Sequence, residues 1–152
     1  MAGPHSSRHV KGPRYMNHLR TDAWLLRGIS SIPGELQLAA GTLSFTCSGT
    51  GSAWPFQLRT LGKTMKQPSL VEALEEGKQF QLFQWPADQV QAYLPWYYFG
   101  GGIKLRHRGI HLRFSFGRPA SSGYVLASAA AELNEVGTMR SRGKLWAAAL
   151  RA

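Results

Sequence analysis

The stretch Glu35-Leu-Gln-Leu-Ala-Ala-Gly-Thr-Leu-Ser-Phe-Thr-Cys47 alternates apolar and polar residues on both sides of Ala40-Gly41. With those two residues as the loop of a hairpin, Leu38 faces Leu43 and Leu36 faces Phe45 on one side. Gln37 then faces Ser44, and Glu35 faces Thr46, on the other. Cross-strand partners share a face, so this register separates polar from apolar without a conflict. Pro33-Gly34 reads as a turn just before the first of these strands.

Further along, Ile103 to Phe116 repeats the arrangement about Arg108-Gly109. Ile103 pairs with Phe114 and Leu105 with Leu112, while Lys104 pairs with Arg113 and Arg106 with His111. A slip by one residue would mix the two faces, so the register is well specified. The turn type stays open, because a two-residue primed turn places Arg108 at an unfavourable positive φ. Two more strands are expected: Lys78 to Gln84, with Phe80 and Leu82 between glutamines, and Asp88 to Leu94, with Val90, Ala92 and Leu94 on one face. Ala23 to Ser30 adds an earlier strand.

Helices are expected at two places. Ser69 and Glu72 have capping-box spacing and Gly77 is a natural stop, which predicts a short helix over Leu70 to Glu76. At the C-terminus Met139, Gly143, Trp146, Ala147 and Leu150 share one helical face. The Ser/Ala-rich run between Arg118 and Gly137 reads either as a loop or as a loop followed by a helix from about Ala127 to Val136.

About seven strands in hairpin succession followed by a helix resembles the pleckstrin-homology superfold. Pro33 to Phe45, with a glycine, alternating leucines and a Leu-Ser-Phe strand, is similar to the opening hairpin of GRAM-type and bacterial pleckstrin-homology-like domains. Trp146 is similar to the tryptophan that many members carry in their last helix. The resemblance covers Trp24 to Leu150 and implies a mainly β fold, a partly open barrel of about seven antiparallel strands capped by a C-terminal α-helix. It implies a non-enzymatic interaction module. Lipid-binding members hold inositol phosphates with basic residues around their first hairpin, where this sequence has Glu35, Gln37 and Ser44. A phosphoinositide site of that usual kind is therefore not expected, and many members bind proteins instead.

Charge is the strongest compositional signal, with 18 Lys+Arg against 8 Asp+Glu and a net charge of +10 over 152 residues. Anionic partners follow from that balance, unless it reflects only a basic tail and a basic proteome. Residues 1–20, rich in His, Ser, Arg, Gly and Pro, read as a disordered basic tail, leaving 21–152 as one domain. The tail lacks the apolar run of a secretory signal, and no stretch approaches the roughly 18 apolar residues of a spanning helix, so a cytoplasmic protein is expected. The single cysteine, Cys47, excludes an internal disulfide, and its place beside Leu43 and Phe45 makes it a buried small hydrophobe.

The candidate anion-binding face is Lys104, Arg106, His111 and Arg113, with Arg108 at the tip. Like charges directly opposite one another cost a hairpin roughly 0.2–1 kcal/mol per pair, which a bound anion would offset. The alternative is a solvated strand face, interleaved with acids from a neighbouring strand. A second candidate is the aromatic run Trp96, Tyr97, Tyr98 and Phe99, which cannot all point inward from a strand. Next to cations, such rings suit a membrane interface or stacked single-stranded nucleic acid; the alternative is that two plug the core while two cover a second sheet or the helix. No catalytic constellation, metal-ligand spacing, phosphate loop, cofactor or small-molecule substrate is indicated. His107 and His111 are four apart but lie on opposite faces of the hairpin. An acidic membrane surface or acidic protein is the expected partner, nucleic acid a lesser one, and a purely structural assembly domain a third reading.

Overall fold

The alternating segments form seven antiparallel strands: β1 His18–Arg27, β2 Ser30–Ala39, β3 Thr42–Cys47, β4 Phe80–Pro86, β5 Gln91–Tyr93, β6 Gly102–His107 and β7 Ile110–Ser115. They are accompanied by helices α1 Pro55–Thr64, α2 Leu70–Glu75 and α3 Ala129–Arg151. The structure is a computed structural model and describes residues 18–94, 101–119 and 129–151. All seven strands belong to one sheet, in the order β4-β3-β2-β1-β7-β6-β5.

Both sequence-predicted hairpins have the expected register. Leu36 pairs with Phe45 and Leu38 with Leu43, while Ile103 pairs with Phe114, Lys104 with Arg113, Leu105 with Leu112 and Arg106 with His111. Each turn has two residues at positive φ, Ala40 (52°) with Gly41 (78°) and Arg108 (50°) with Gly109 (81°). Arg108 therefore adopts the primed-turn conformation despite its Cβ, at a cost of roughly 1–2 kcal/mol.

Other expectations are corrected. Among the described residues Glu35–Cys47 is the second hairpin, because its first strand, β2, already pairs with β1 over ten residues about a turn at Gly28 and Ile29. The strand expected over Ala23 to Ser30 is thus the end of β1, a turn and the start of β2. Strand β1 begins at His18, inside the segment that composition assigns to the tail. Pro33-Gly34 is no turn: both residues lie inside β2, opposite Trp24 and Ala23. The carbonyl of Pro33 accepts from the N–H of Ser48 just beyond the β2–β3 ladder, so its missing N–H also points there and removes no bond to β1.

Strand β4 contains a bulge. Phe45 pairs with Phe83 and Thr46 with Gln81, which leaves Leu82 as the extra residue and lets Leu82 and Phe83 both reach the core. The strand expected over Asp88 to Leu94 shrinks to three residues after a 3₁₀ turn at Ala87–Gln89. Helix α2 is present without a side-chain hydrogen bond from Ser69, so the expected capping box does not form. The two C-terminal helical stretches are one continuous helix, with Gly137 inside it.

The sheet is rolled. Phe45 on β3 and Phe114 on β7 are three strand spacings apart, about 14 Å if the sheet were flat. Their ring centroids are 4.8 Å apart. The two edge strands, β4 and β5, are joined by only Ala87 to Val90, which can span at most about 14 Å. Trp85 of β4 reaches within 4.6 Å of the His107 ring on β6. The result is a curled sheet that stays unclosed between β4 and β5.

Its interior holds Leu25, Ile32, Leu36, Leu43, Phe45 and Phe114, together with Leu58 and Leu61 from α1 and Leu70 from α2. Strands β1 and β7 pair only at Trp24–Ser115 and Leu25–Phe114. Beyond that point Trp146 of α3 stacks on Phe116, with centroids 6.4 Å apart, and its Nε1 donates to Thr21 Oγ1 at 2.8 Å. Among the described residues, no helix is long and apolar enough to cross a membrane.

Candidate functional site

Alternation along β6 and β7 places Lys104, Arg106, His111 and Arg113 on the outer face, while Leu105, Leu112 and Phe114 are buried beneath. Strand β5 extends this face by one strand. Tyr93 pairs with Lys104, which pairs with Arg113; Gln91 pairs with Arg106, which pairs with His111. Two cross-strand rows result, Tyr93–Lys104–Arg113 and Gln91–Arg106–His111, lining a depression of about 370 Å³. The neighbouring strand supplies a phenol and an amide. Neither is an acid.

Arg106, Arg108 and Arg113 have no acidic side chain within ion-pair distance among the described residues. The outer-face acid of β2, Glu35, is taken up by Arg20 of β1 at 3.2 Å. Charge is thus unevenly placed across the sheet: the outer face of β1 and β2 carries both signs, paired at Arg20–Glu35, whereas Lys104, Arg106 and Arg113 lie outside β6 and β7.

Sequence reasoning missed Arg27. It ends β1 beside the Gly28–Ile29 turn and is half-buried. Its guanidinium is held below its usual pKa, first by burial and second by the charge of Arg113. A second depression, of about 280 Å³, is lined by Leu26, Arg27, Gly28, Phe56, Gln57, Thr60, His111 and Arg113. His111 and Arg113 border both depressions, so one basic band runs from Tyr93 to Arg27. No sequence signal links Arg27 to this band, because the proximity depends on a β1–β7 contact of two residue pairs and on helix α1.

Helix α1, also missed in the sequence, closes this end. Pro55 occupies its first turn, where the lost N–H costs no helical bond. Gln57 Oε1 accepts from the Trp54 N–H at 2.8 Å, and Gln57 Nε2 donates to the Arg27 carbonyl at 3.2 Å. One side chain therefore ties the start of α1 to the end of β1.

His107 points inward, 6% exposed, with Nδ1 3.1 Å from the Gln89 carbonyl oxygen. Among the described residues, no group of His, Cys, Asp or Glu side chains is placed to share a metal ion. Cys47 is buried, and burial pushes its thiol pKa up to about 12, which leaves almost no thiolate near neutral pH. Trp96, Tyr97, Tyr98 and Phe99 lie outside the described residues.

The chain matches no protein-family model, and neither a curated protein nor a solved structure matches it significantly.

Proposed function

We propose that this chain is a non-enzymatic, pleckstrin-homology-like interaction module that docks on an anionic surface through the outer face of β6 and β7. The observation that carries this reading is that Arg106 and Arg113 share one outer face with no acidic side chain within ion-pair distance among the described residues. Lys104 lies opposite Arg113, Arg106 lies next to His111, and the adjoining strand adds only Tyr93 and Gln91. Arg27 lengthens the same band. Cations held this close repel one another, and an anion spanning the rows relieves that repulsion. The seven antiparallel strands followed by a helix are compatible with the pleckstrin-homology architecture.

Reversing Arg106 and Arg113 together tests this reading. A cation near an acidic membrane surface contributes about 1 kcal/mol. The R106E/R113E protein should therefore bind phosphatidylserine-containing vesicles at least about a hundredfold more weakly at low salt. Both side chains are solvent-facing, so the thermal transition should move little. Undiminished vesicle and polyanion binding by this variant would sink the reading.

A further inference from the structure

The cation rows outside β6 and β7 have an aromatic side chain on either flank. Tyr93 of β5 is 55% exposed and heads the row Tyr93–Lys104–Arg113. On the β1 side, Trp24 lies opposite Ser115, two residues beyond Arg113 on β7. Its neighbours Ala23 and Leu25 are fully buried, so alternation turns Trp24 to the outer face. The Arg118 guanidinium lies 5.8 Å from the centre of its ring. An exposed tyrosine on a strand is ordinary by itself. Here it stands in line with two cations and shares a depression with Gln91 and Arg106.

This placement discriminates between anionic partners. The Tyr93 ring is rooted in one row with Lys104 and Arg113, so it forms no separate apolar tip of the kind that enters a bilayer. Acidic side chains, for their part, offer no flat face to a phenol. An unpaired nucleotide supplies both chemistries at once, a phosphate for a guanidinium and the π-face of a base for the ring. In a duplex the base faces are already stacked on one another, which leaves the single strand.

We propose that the outer face of β5, β6 and β7 binds single-stranded nucleic acid, with a base stacked on Tyr93 and the adjoining phosphates on Arg106 and Arg113. Gln91 and His111, in the second row, add hydrogen-bonding groups for base edges, and Trp24 continues the face toward β1. The inference rests on the anionic-surface reading and commits that surface to nucleic acid. Stacking adds to the phosphate attraction, so affinity depends on the bases as well as on the charge.

Fluorescence anisotropy of the full chain with a short labelled DNA strand, the RNA strand of the same sequence, their duplex forms and an abasic strand of equal length tests this. The abasic strand keeps the phosphates and lacks the bases. The unmodified protein should bind the base-bearing single strands about tenfold more tightly than the abasic one, and tighter binding of one of the two identifies it as DNA or RNA. Tyr93→Ala should bring intact strands down to the abasic level, whereas Tyr93→Phe keeps the ring and the affinity. Equal affinity of the unmodified protein for intact and abasic strands, lost in R106E/R113E, overturns stacking and leaves the anionic-surface reading standing. Retention of every polyanion by R106E/R113E sinks both. Binding to phosphatidylserine vesicles or poly-glutamate that the intact strand fails to displace overturns the commitment to nucleic acid and assigns the face to lipid or to an acidic protein.

Discussion

Trp146→Ala is expected to lower the unfolding free energy by about 3–5 kcal/mol, a large share of the 5–15 kcal/mol typical of a whole domain. The tryptophan is fully buried, although helix α3 is otherwise mostly exposed or half-buried over residues 137–150. It fills the gap that opens where β1 and β7 stop pairing after Trp24–Ser115. Phe116 stacks on it at an interplanar angle of 11°, and the Arg142 guanidinium donates to the Phe116 carbonyl at 2.8 Å. Truncation would leave an indole-sized hole and a Thr21 hydroxyl without its indole donor. Trp146→Phe separates these effects: it keeps most of the burial and loses the 2.8 Å bond to Thr21, for a cost of about 1–2 kcal/mol. Urea unfolding followed by far-ultraviolet circular dichroism measures both. Equal midpoints for the two variants would mean that the hydrogen bond, not the packing, anchors α3.

Local alternation made the two predicted hairpins legible, because every cross-strand pair in them could be checked for a shared face. Leu36–Phe45 and Ile103–Phe114 needed no tertiary information. Pro33-Gly34 misled for a physical reason. Proline and glycine usually mark turns, but here the proline lies where β3 has ended and the glycine where β3 comes too close for a side chain. The bulge at Leu82 was hidden because it breaks the two-residue period that alternation relies on. Helix α1 was hidden because Pro55–Thr64 buries only Leu58, Leu61 and Gly62, too short an apolar stripe to stand out in a single sequence. The candidate site divides the same way. Lys104, Arg106, His111 and Arg113 of β6 and β7 share a face by local pairing, whereas Arg27 and Phe56 join them only through the chain's path around the end of the curled sheet.

A close approach of β3 to β2 yields the second large expected effect. A Cβ on Gly34 would lie 2.3 Å from the carbonyl oxygen of Thr46 and 2.5 Å from the Phe45 ring. The first obstacle is backbone, and it lies on β3 opposite the β4 bulge, where the register shifts between Phe45 and Thr46. It cannot be relieved by a rotamer change. Phe45 is itself fully buried against Phe114, so its ring has little room to yield. Gly34→Ala must therefore push β2 and β3 apart in the middle of the sheet, at a cost of about 3 kcal/mol. Gly137→Ala is the matched control. Gly137 is an exposed glycine inside α3 with nothing within 4 Å of a built Cβ, so the same chemical change there should stabilise by about 0.5–1 kcal/mol. Opposite signs in urea midpoints are the expected result. A Gly34→Ala protein as stable as the parent would show that β2 and β3 do not approach this closely.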